Sequence, residues 1–323
     1  MCIEYAEKLS KIIYENSRKN NCDCILFSGG IDTTFILMSL INEKPKTISV
    51  VFNESKDKEY IDYVKNKLNI ENYEIIIKNE QEIGDCLNNV LYSLKVIDPI
   101  EIISGVSVCL GLKKAKELKC NCIITGDGGD ELYFGYDFLL NRNESYLNNW
   151  LKNVLNNAFF NSIPISNYMG IKAILPLYSN ESKELSLSIP TKCKINEING
   201  KIYGKYFMRL WLMRKGLEFV ALRNKTPITI GTGSEILLQS WKNKVKKEEI
   251  QEYKNKYRIN FPSLSHFYLF KKGLELGIFN DELENKSNKN PCPICGHEMK
   301  GNHCKFCGTY IDEKGQISYY KDF

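Results

Sequence analysis

Between residues 2 and 125 the apolar positions change period repeatedly. Spacing of three and four predicts a helix over 2–18. The run Cys24-Ile25-Leu26-Phe27-Ser28 then predicts a strand, and apolar-periodic residues 34–42 a helix. Lys46 to Phe52 has the β-branched density of a buried strand. Lys58 to Leu68 places Tyr60, Ile61, Val64 and Leu68 at helical spacing, and Tyr73 to Ile77 predicts a further strand. Helical patterns over 81–95 and 104–118 lead to a fourth strand at Cys122 to Thr125. Strand and helix in regular alternation predict an α/β fold, a parallel sheet covered by helices on both faces, with ligands at the carboxyl ends of its strands.

Two such ends carry glycine loops. In the first, Ser28-Gly29-Gly30-Ile31-Asp32-Thr33-Thr34, the glycines let the backbone approach an anion while the unpaired N–H groups of the next helix point at it, which suits a phosphate. The loop is too short for a Walker A motif and lacks its Lys, and it is not G-x-G-x-x-G. A glycine pair alone is also an ordinary turn. Ser28 before it and Asp32-Thr33 after it add the groups a nucleotide and magnesium need. The second loop, Thr125-Gly126-Asp127-Gly128-Gly129-Asp130-Glu131, combines close backbone approach with carboxylates able to hold magnesium or orient a nucleophile; the plain alternative is an acidic turn.

The first loop fits S-G-G-x-D-[ST] and closely resembles the pyrophosphate-binding loop of the ATP pyrophosphatases. The second, continued by Leu132-Tyr133-Phe134-Gly135-Tyr136, resembles the S-G-E-G-S-D-E-x-F-G-G-Y segment of asparagine synthetases and β-lactam synthetases. Gly170 to Leu177 sits where that family has V-E-A-R-V-P-F, and Arg223-Asn224-Lys225-Thr226-Pro227 where it has R-x-K-x-x-F, so the likeness covers roughly residues 20–235. The resemblance implies that Ser28, Gly29, Gly30, Asp32 and Thr33 hold pyrophosphate and that Phe27, Val50, Thr125 and Gly126 line the adenosine site. It also implies that Asp32 and Asp130 hold magnesium, that Lys225 stabilises charge on the adenylate and pyrophosphate, and that Asp127 stands for the glutamate implicated in the attack of ammonia. The chain departs from the family on the acceptor side. Asp127 is one methylene shorter than the family's Glu, Ile174 replaces the arginine of V-E-A-R-V-P-F, and Lys172 replaces its glutamate. A site for aspartate wants basic groups, and one is missing.

Composition adds a metal site. Cys292, Cys295, Cys304 and Cys307 form C-x2-C-x8-C-x2-C, two knuckles each closed by a glycine, which predicts a structural zinc held by four thiolates. With four cysteines available, His297 and His303 are expected to be bystanders. The chain has twelve cysteines, and in a reducing compartment these argue for thiols and metal ligands. Cys22, Cys24, Cys120 and Cys122 read as core residues at strand starts, and Cys109 as a buried helix cysteine. Cys2 resembles a glutaminase nucleophile but has no room for that domain. A net charge of +5 is too mild to require or exclude nucleic acid, and the Lys-rich stretch 241–247 reads as a solvated helix face.

The expected organisation is therefore a PP-loop ATP pyrophosphatase domain over 1–190, a helical extension over 191–285, the polar linker 284–290 and a zinc ribbon over 288–323. Neither a membrane span nor a signal peptide is evident at the start, so a cytoplasmic protein is expected. The leading functional expectation is an asparagine synthetase-like amide ligase using ATP, Mg2+ and structural Zn2+. It would adenylate a small-molecule carboxylate and use ammonia, free or from a separate glutaminase. The alternative is a PP-loop enzyme that modifies a tRNA base and binds RNA through the ribbon.

Overall fold

The computed structural model describes residues 2–279, 289–312 and 314–321. The expected linker lies, as far as residue 288, outside the described residues. Helix α1 (Cys2–Lys19) turns one stripe inward, Ala6, Leu9, Ile13 and Ser17, as its spacing predicts. Strand β1 (Cys24–Leu26) is followed by α2 (Ile31–Ser39), β2 (Lys46–Phe52), α3 (Lys58–Leu68), β3 (Asn72–Ile77), α4 (Cys86–Leu94), α5 (Pro99–Glu117) and β4 (Ile123–Ile124). The second loop opens the single turn α6 (Gly129–Leu132). Helices α7 (Glu144–Asn157) and α8 (Ser162–Met169) then lead to β5 (Ala173–Ile174).

The five strands form one sheet in the order β3-β2-β1-β4-β5, every pair parallel. Burial on both faces explains why β1 is wholly apolar and β2 ends in the run Val50-Val51-Phe52. Cys24, Ile48, Val50 and Ile123 face a core shared with α4 and α5, whereas Ile25, Phe27, Val51 and Ile124 face a second core with α1 and α2. Strand order runs outward in both directions from the β1/β4 pair. A sheet of this topology leaves its ligand crevice beyond the carboxyl ends of those two strands. Helix α2 begins at Ile31, three residues before its apolar periodicity does, so Asp32 and Thr33 lie in its first turn, next to that crevice.

The cysteines depart from expectation. Cys22 is bridged to Cys122, Cys24 to Cys120 and Cys2 to Cys193, so five residues read as packing groups or coincidences, together with Cys193, form three disulfides. Two bridges clasp β1 to β4 at their amino ends. The adjacency that pairs them is made by the sheet and is not visible in the C-x-C spacing. Cys109 is buried, as expected, and its thiol lies in hydrogen-bond contact with that of Cys86.

The cysteine-rich segment packs into the main core. Phe306 meets Phe279 edge-on at 5.6 Å, and the Ile97 N–H donates to the Phe306 carbonyl at 2.7 Å. The helix Leu264–Glu275 supplies His266, whose Nε2–H donates to the Cys307 carbonyl at 3.0 Å while Nδ1 accepts from Ser263 Oγ at 2.7 Å. Among the described residues no helix is long and apolar enough to cross a membrane.

Candidate functional site at the carboxyl ends of β1 and β4

Both glycine loops open onto one cleft. It is lined by Phe27, Ser28, Gly30, Asp32 and Thr33 from the first loop, Thr125, Gly126, Asp127 and Asp130 from the second, and Val50 and Lys225. Of the residues expected in the site only Gly29 stands behind it, and its role there is conformational. At φ +63 it needs the left-handed region, and a Cβ would come within 2.7 Å of Ile61 N, so only glycine lets the loop rest on the start of α3. The loop hydroxyls are mutually engaged: Ser28 N–H donates to Thr33 Oγ1 at 3.3 Å and Gly30 N–H to Ser28 Oγ at 3.3 Å. Leu26, Ile48, Val50, Val108 and Ile228 form an apolar wall of the same cleft, suited to a flat ring.

Asp32 and Asp130 converge from separate loops, and the ammonium of Lys205 lies between them, bonded to Asp32 and 2.6 Å from Asp130. Lys225 adds a second cation at 2.6 Å from Asp130. Burial alone would raise the Asp130 carboxyl, but the two ammonium groups together outweigh it and bring it down to about 2. Asp32 keeps one buried oxygen, Oδ1, without a hydrogen-bond partner. Two convergent carboxylates with a spare oxygen fit a hard divalent cation.

Sequence reasoning missed Lys205. It sits at φ +55 just before the helix Tyr206–Arg214, after a two-stranded hairpin, and nothing in its neighbourhood announces it. Arg209, one turn on, fixes it in place by donating to the carbonyls of Gly204 at 2.7 Å, Ala221 at 2.6 Å and Arg223 at 2.9 Å. Arg223 is buried, donates to Asp57 Oδ1 at 2.7 Å and lies 4.0 Å from the Tyr60 ring. Its Nη1 is buried without a partner, and the residue lines the cleft, so an anionic ligand would complete it.

Acids dominate the far side of the second loop. Asp127 accepts from Ser162 at 2.5 Å and Thr125 at 2.7 Å, and burial pushes its carboxyl up. Burial, reinforced by Asp98, pushes Glu101 up to about 7. Burial also raises Glu131, which accepts from the Tyr136 hydroxyl. Ile174 lies on the edge strand beside β4 and brings no charge. Among the described residues no cysteine lines the cleft.

The four C-terminal cysteines come together. The Cys292 and Cys307 sulfurs are 3.8 Å apart, those of Cys295 and Cys304 3.5 Å, and all four lie within 4.8 Å of one another. Sulfurs about 3.8 Å apart are what a tetrahedral ion with Zn–S near 2.3 Å requires. The Gly296 and Gly308 N–H groups close the two knuckles on the Cys292 and Cys304 carbonyls at 3.0 and 2.8 Å. His297 stacks on Phe306 at 3.7 Å and stands outside the thiol set.

The family model described as Asparagine synthase matches residues 6–165. The protein named "Putative asparagine synthetase (glutamine-hydrolyzing) 1" from Methanocaldococcus jannaschii is 26% identical over 191 residues, which is 56% of this chain and 35% of that protein. The chain thus spans about a third of the length of that curated relative. Among solved structures, NMN synthetase from Francisella tularensis aligns at 17% identity over 70% of this chain and 98% of its own, with a TM-score of 0.31. The U34-tRNA thiolase NcsA from Methanococcus maripaludis, with its 4Fe-4S cluster, aligns at 17% identity over 73% and 79%, with a TM-score of 0.32. With its sheet order, its two loops and the Asparagine synthase match, the chain carries a PP-loop ATPase-like domain of the ATP-using kind, followed by a cysteine cluster that could bind a metal.

Proposed function

We propose that the chain is an AMP- and pyrophosphate-forming enzyme that activates a carbonyl oxygen on a neutral, planar acceptor, a nucleobase in RNA. The observation that carries this reading is the charge of the acceptor side. Asp127 lines it with Glu101 and Glu131 close by, Lys305 offsetting Glu101, whereas Lys205, Lys225 and Arg223 of the cleft are each committed to a carboxylate of the nucleotide side. A carboxylate acceptor would meet the buried Asp127 with Lys205, Lys225 and Arg223 already paired, at a cost of several kcal/mol. A base presents N–H groups that those acids can accept from, and its carbonyl carries no net charge.

In this reading the carbonyl oxygen attacks the α-phosphorus of ATP, the bond to the β-phosphate oxygen breaks, and pyrophosphate leaves. Lys205, Lys225 and Arg223 neutralise the charge that develops on it. Bound magnesium would be held by Asp32 and Asp130 and would supply further neutralisation on the departing pyrophosphate. Asp127, held by two hydroxyls, takes the proton released when an incoming nucleophile displaces AMP. Among the described residues no cysteine lines the cleft, and in this reading the nucleophile is supplied from outside the chain. Because the carbonyl oxygen leaves on AMP, RNA labelled with 18O in its base carbonyls should give 18O-AMP. Unlabelled AMP would refute the reading.

A second reading, the amide ligase acting on a small-molecule carboxylate with ammonia, is favoured by the family match and by the curated relative. It requires the acceptor carboxylate to take its counter-charge from Lys205 or Lys225. Its zinc cluster, like that of the first reading, would be structural, since four thiolates leave no open position.

A further inference from the structure

The rim of the cleft on its acceptor side is built from rings, and most of them stand beside a cation. Trp150 on α7 donates through Nε1 to the Glu131 carbonyl at 3.2 Å, which fixes it beside the second loop. It meets Tyr136 edge-on at 6.0 Å and Phe138 at 5.3 Å, and Tyr136 and Phe138 stack at 5.5 Å with 19° between their planes. Lys225 of the cleft lies 5.6 Å from the Tyr136 ring. Phe138 is 49% exposed, so one ring of this stack is open to a further planar group.

The pattern continues along α7. Tyr178 donates its hydroxyl to the Val154 carbonyl, and its Cβ lies against Gly128 at φ +93, where any side chain would collide. Lys183 lies 4.0 Å over the Tyr178 ring. Just beyond the helix, Phe159 is 49% exposed, with Lys305 of the cysteine module 4.5 Å over its ring. At the other end, Arg142 lies 4.7 Å from Tyr146 and donates to the Phe138 carbonyl at 3.3 Å. Between these ends α7 offers five asparagines, Lys152 and a single carboxylate, Glu144, so along this helix only that one group repels a phosphate.

Resting on the RNA reading of the site, we propose that this rim is a binding track for single-stranded RNA: a segment follows α7, its bases stack on Phe138 and Phe159, and its phosphates meet Arg142, Lys183 and Lys305. Exposed rings alternating with cations are the composition that holds single strands without reading sequence. A duplex hides the base faces that these rings would take. The cysteine module contributes one of the cations, which gives its position beside the cleft a purpose beyond bracing.

Anisotropy of a fluorescein-labelled single-stranded RNA of about 12 nucleotides, within the site size of such tracks, tests the proposal on the full chain. Expected are saturable binding that weakens as salt rises and discrimination against the matching duplex. In the Phe138→Ala, Phe159→Ala double variant affinity should fall about 10-fold or more. Both side chains are half exposed, and an unchanged melting temperature will show that the variant folds. Equal affinity of the variant and the wild type, or equal binding of duplex and single strand, overturns the track. If RNA still stimulates AMP release in a variant that binds normally, the track is overturned and the RNA reading stands. If the wild type neither binds RNA nor releases AMP with it, both fall.

Discussion

The two sides of the second loop are built on opposite principles. On the proposed nucleotide side, Asp32 and Asp130 are matched by Lys205 and Lys225, and Arg223 by Asp57, so each charge has a partner, and Asp32, Asp130, Arg223 and Lys225 keep the resembled family's letters. On the proposed acceptor side Asp127, Glu101 and Glu131 are gathered with Lys305 beside Glu101 as their cation, and the family's letters change at Asp127, Lys172 and Ile174. On the proposed function, the contrast makes ATP chemistry and acceptor choice separable in this fold. In that reading the first would be set where β1 and β4 diverge, and the second by what α7, α8 and β5 place over the loop.

The largest effect expected from breaking the nucleotide side is loss of turnover. Asp130→Asn removes the carboxylate that holds both lysines, and pyrophosphate exchange should fall at least about 10³-fold, the scale of losing electrostatic stabilisation in a transition state. The variant should remain folded by circular dichroism. Exchange within 10-fold of wild type would remove Asp130 from the chemistry.

Next in size are the two clamps that hold the comparison in place. The purified chain should carry about one zinc held by thiolates. The Cys292→Ser, Cys295→Ser variant should lose it and, because the module shares the main core through Phe306, should also lower the melting temperature of the whole chain. Retention of zinc would move the site elsewhere. The bridges Cys22–Cys122 and Cys24–Cys120 close loops of 100 and 96 residues. One such loop is worth about 4–5 kcal/mol on entropy grounds, so reduction should lower the melting temperature by roughly 10 °C. An unchanged value would mean that the thiols are not bridged in solution.

What the sequence displayed and what it concealed divides along the same line. Each of the four expected strands and both loops were visible, because buried parallel strands are apolar runs and glycine loops interrupt them sharply. Asp32, Asp130 and Lys225 could be found because they sit in motifs. Lys205 could not: its place between two carboxylates comes from the hairpin ahead of it and from Arg209 beneath it, contacts distant in sequence. Arg223 stood in a quoted motif, but its orphan Nη1 appears only once Asp57 and Tyr60 surround it. The disulfides were hidden because pairing follows the β1/β4 adjacency, and the seating of the cysteine module because it rests on the Ile97–Phe306 contact.

A smaller effect sharpens the acceptor side. Burial first, and then Asp98, raises Glu101 from 4.5 to about 7. The folded state thus holds a proton that the unfolded chain releases. Stability from this group is full below about 4.5 and is lost as pH rises through 7. Glu101→Gln should therefore match wild type near pH 4.5 and exceed it above pH 7, by up to about 3 kcal/mol. A pH-independent difference would show that Glu101 titrates normally.

The central claim, that inherited ATP chemistry now serves a neutral planar acceptor, is met most directly by measuring AMP and pyrophosphate release from ATP with unfractionated tRNA and, separately, with aspartate and ammonia. The account predicts stoichiometric AMP and pyrophosphate with RNA and no stimulation by aspartate. Release driven by aspartate and ammonia but not by RNA would contradict it and return the amide ligase to first place. ADP and phosphate as products would contradict the ATP chemistry itself.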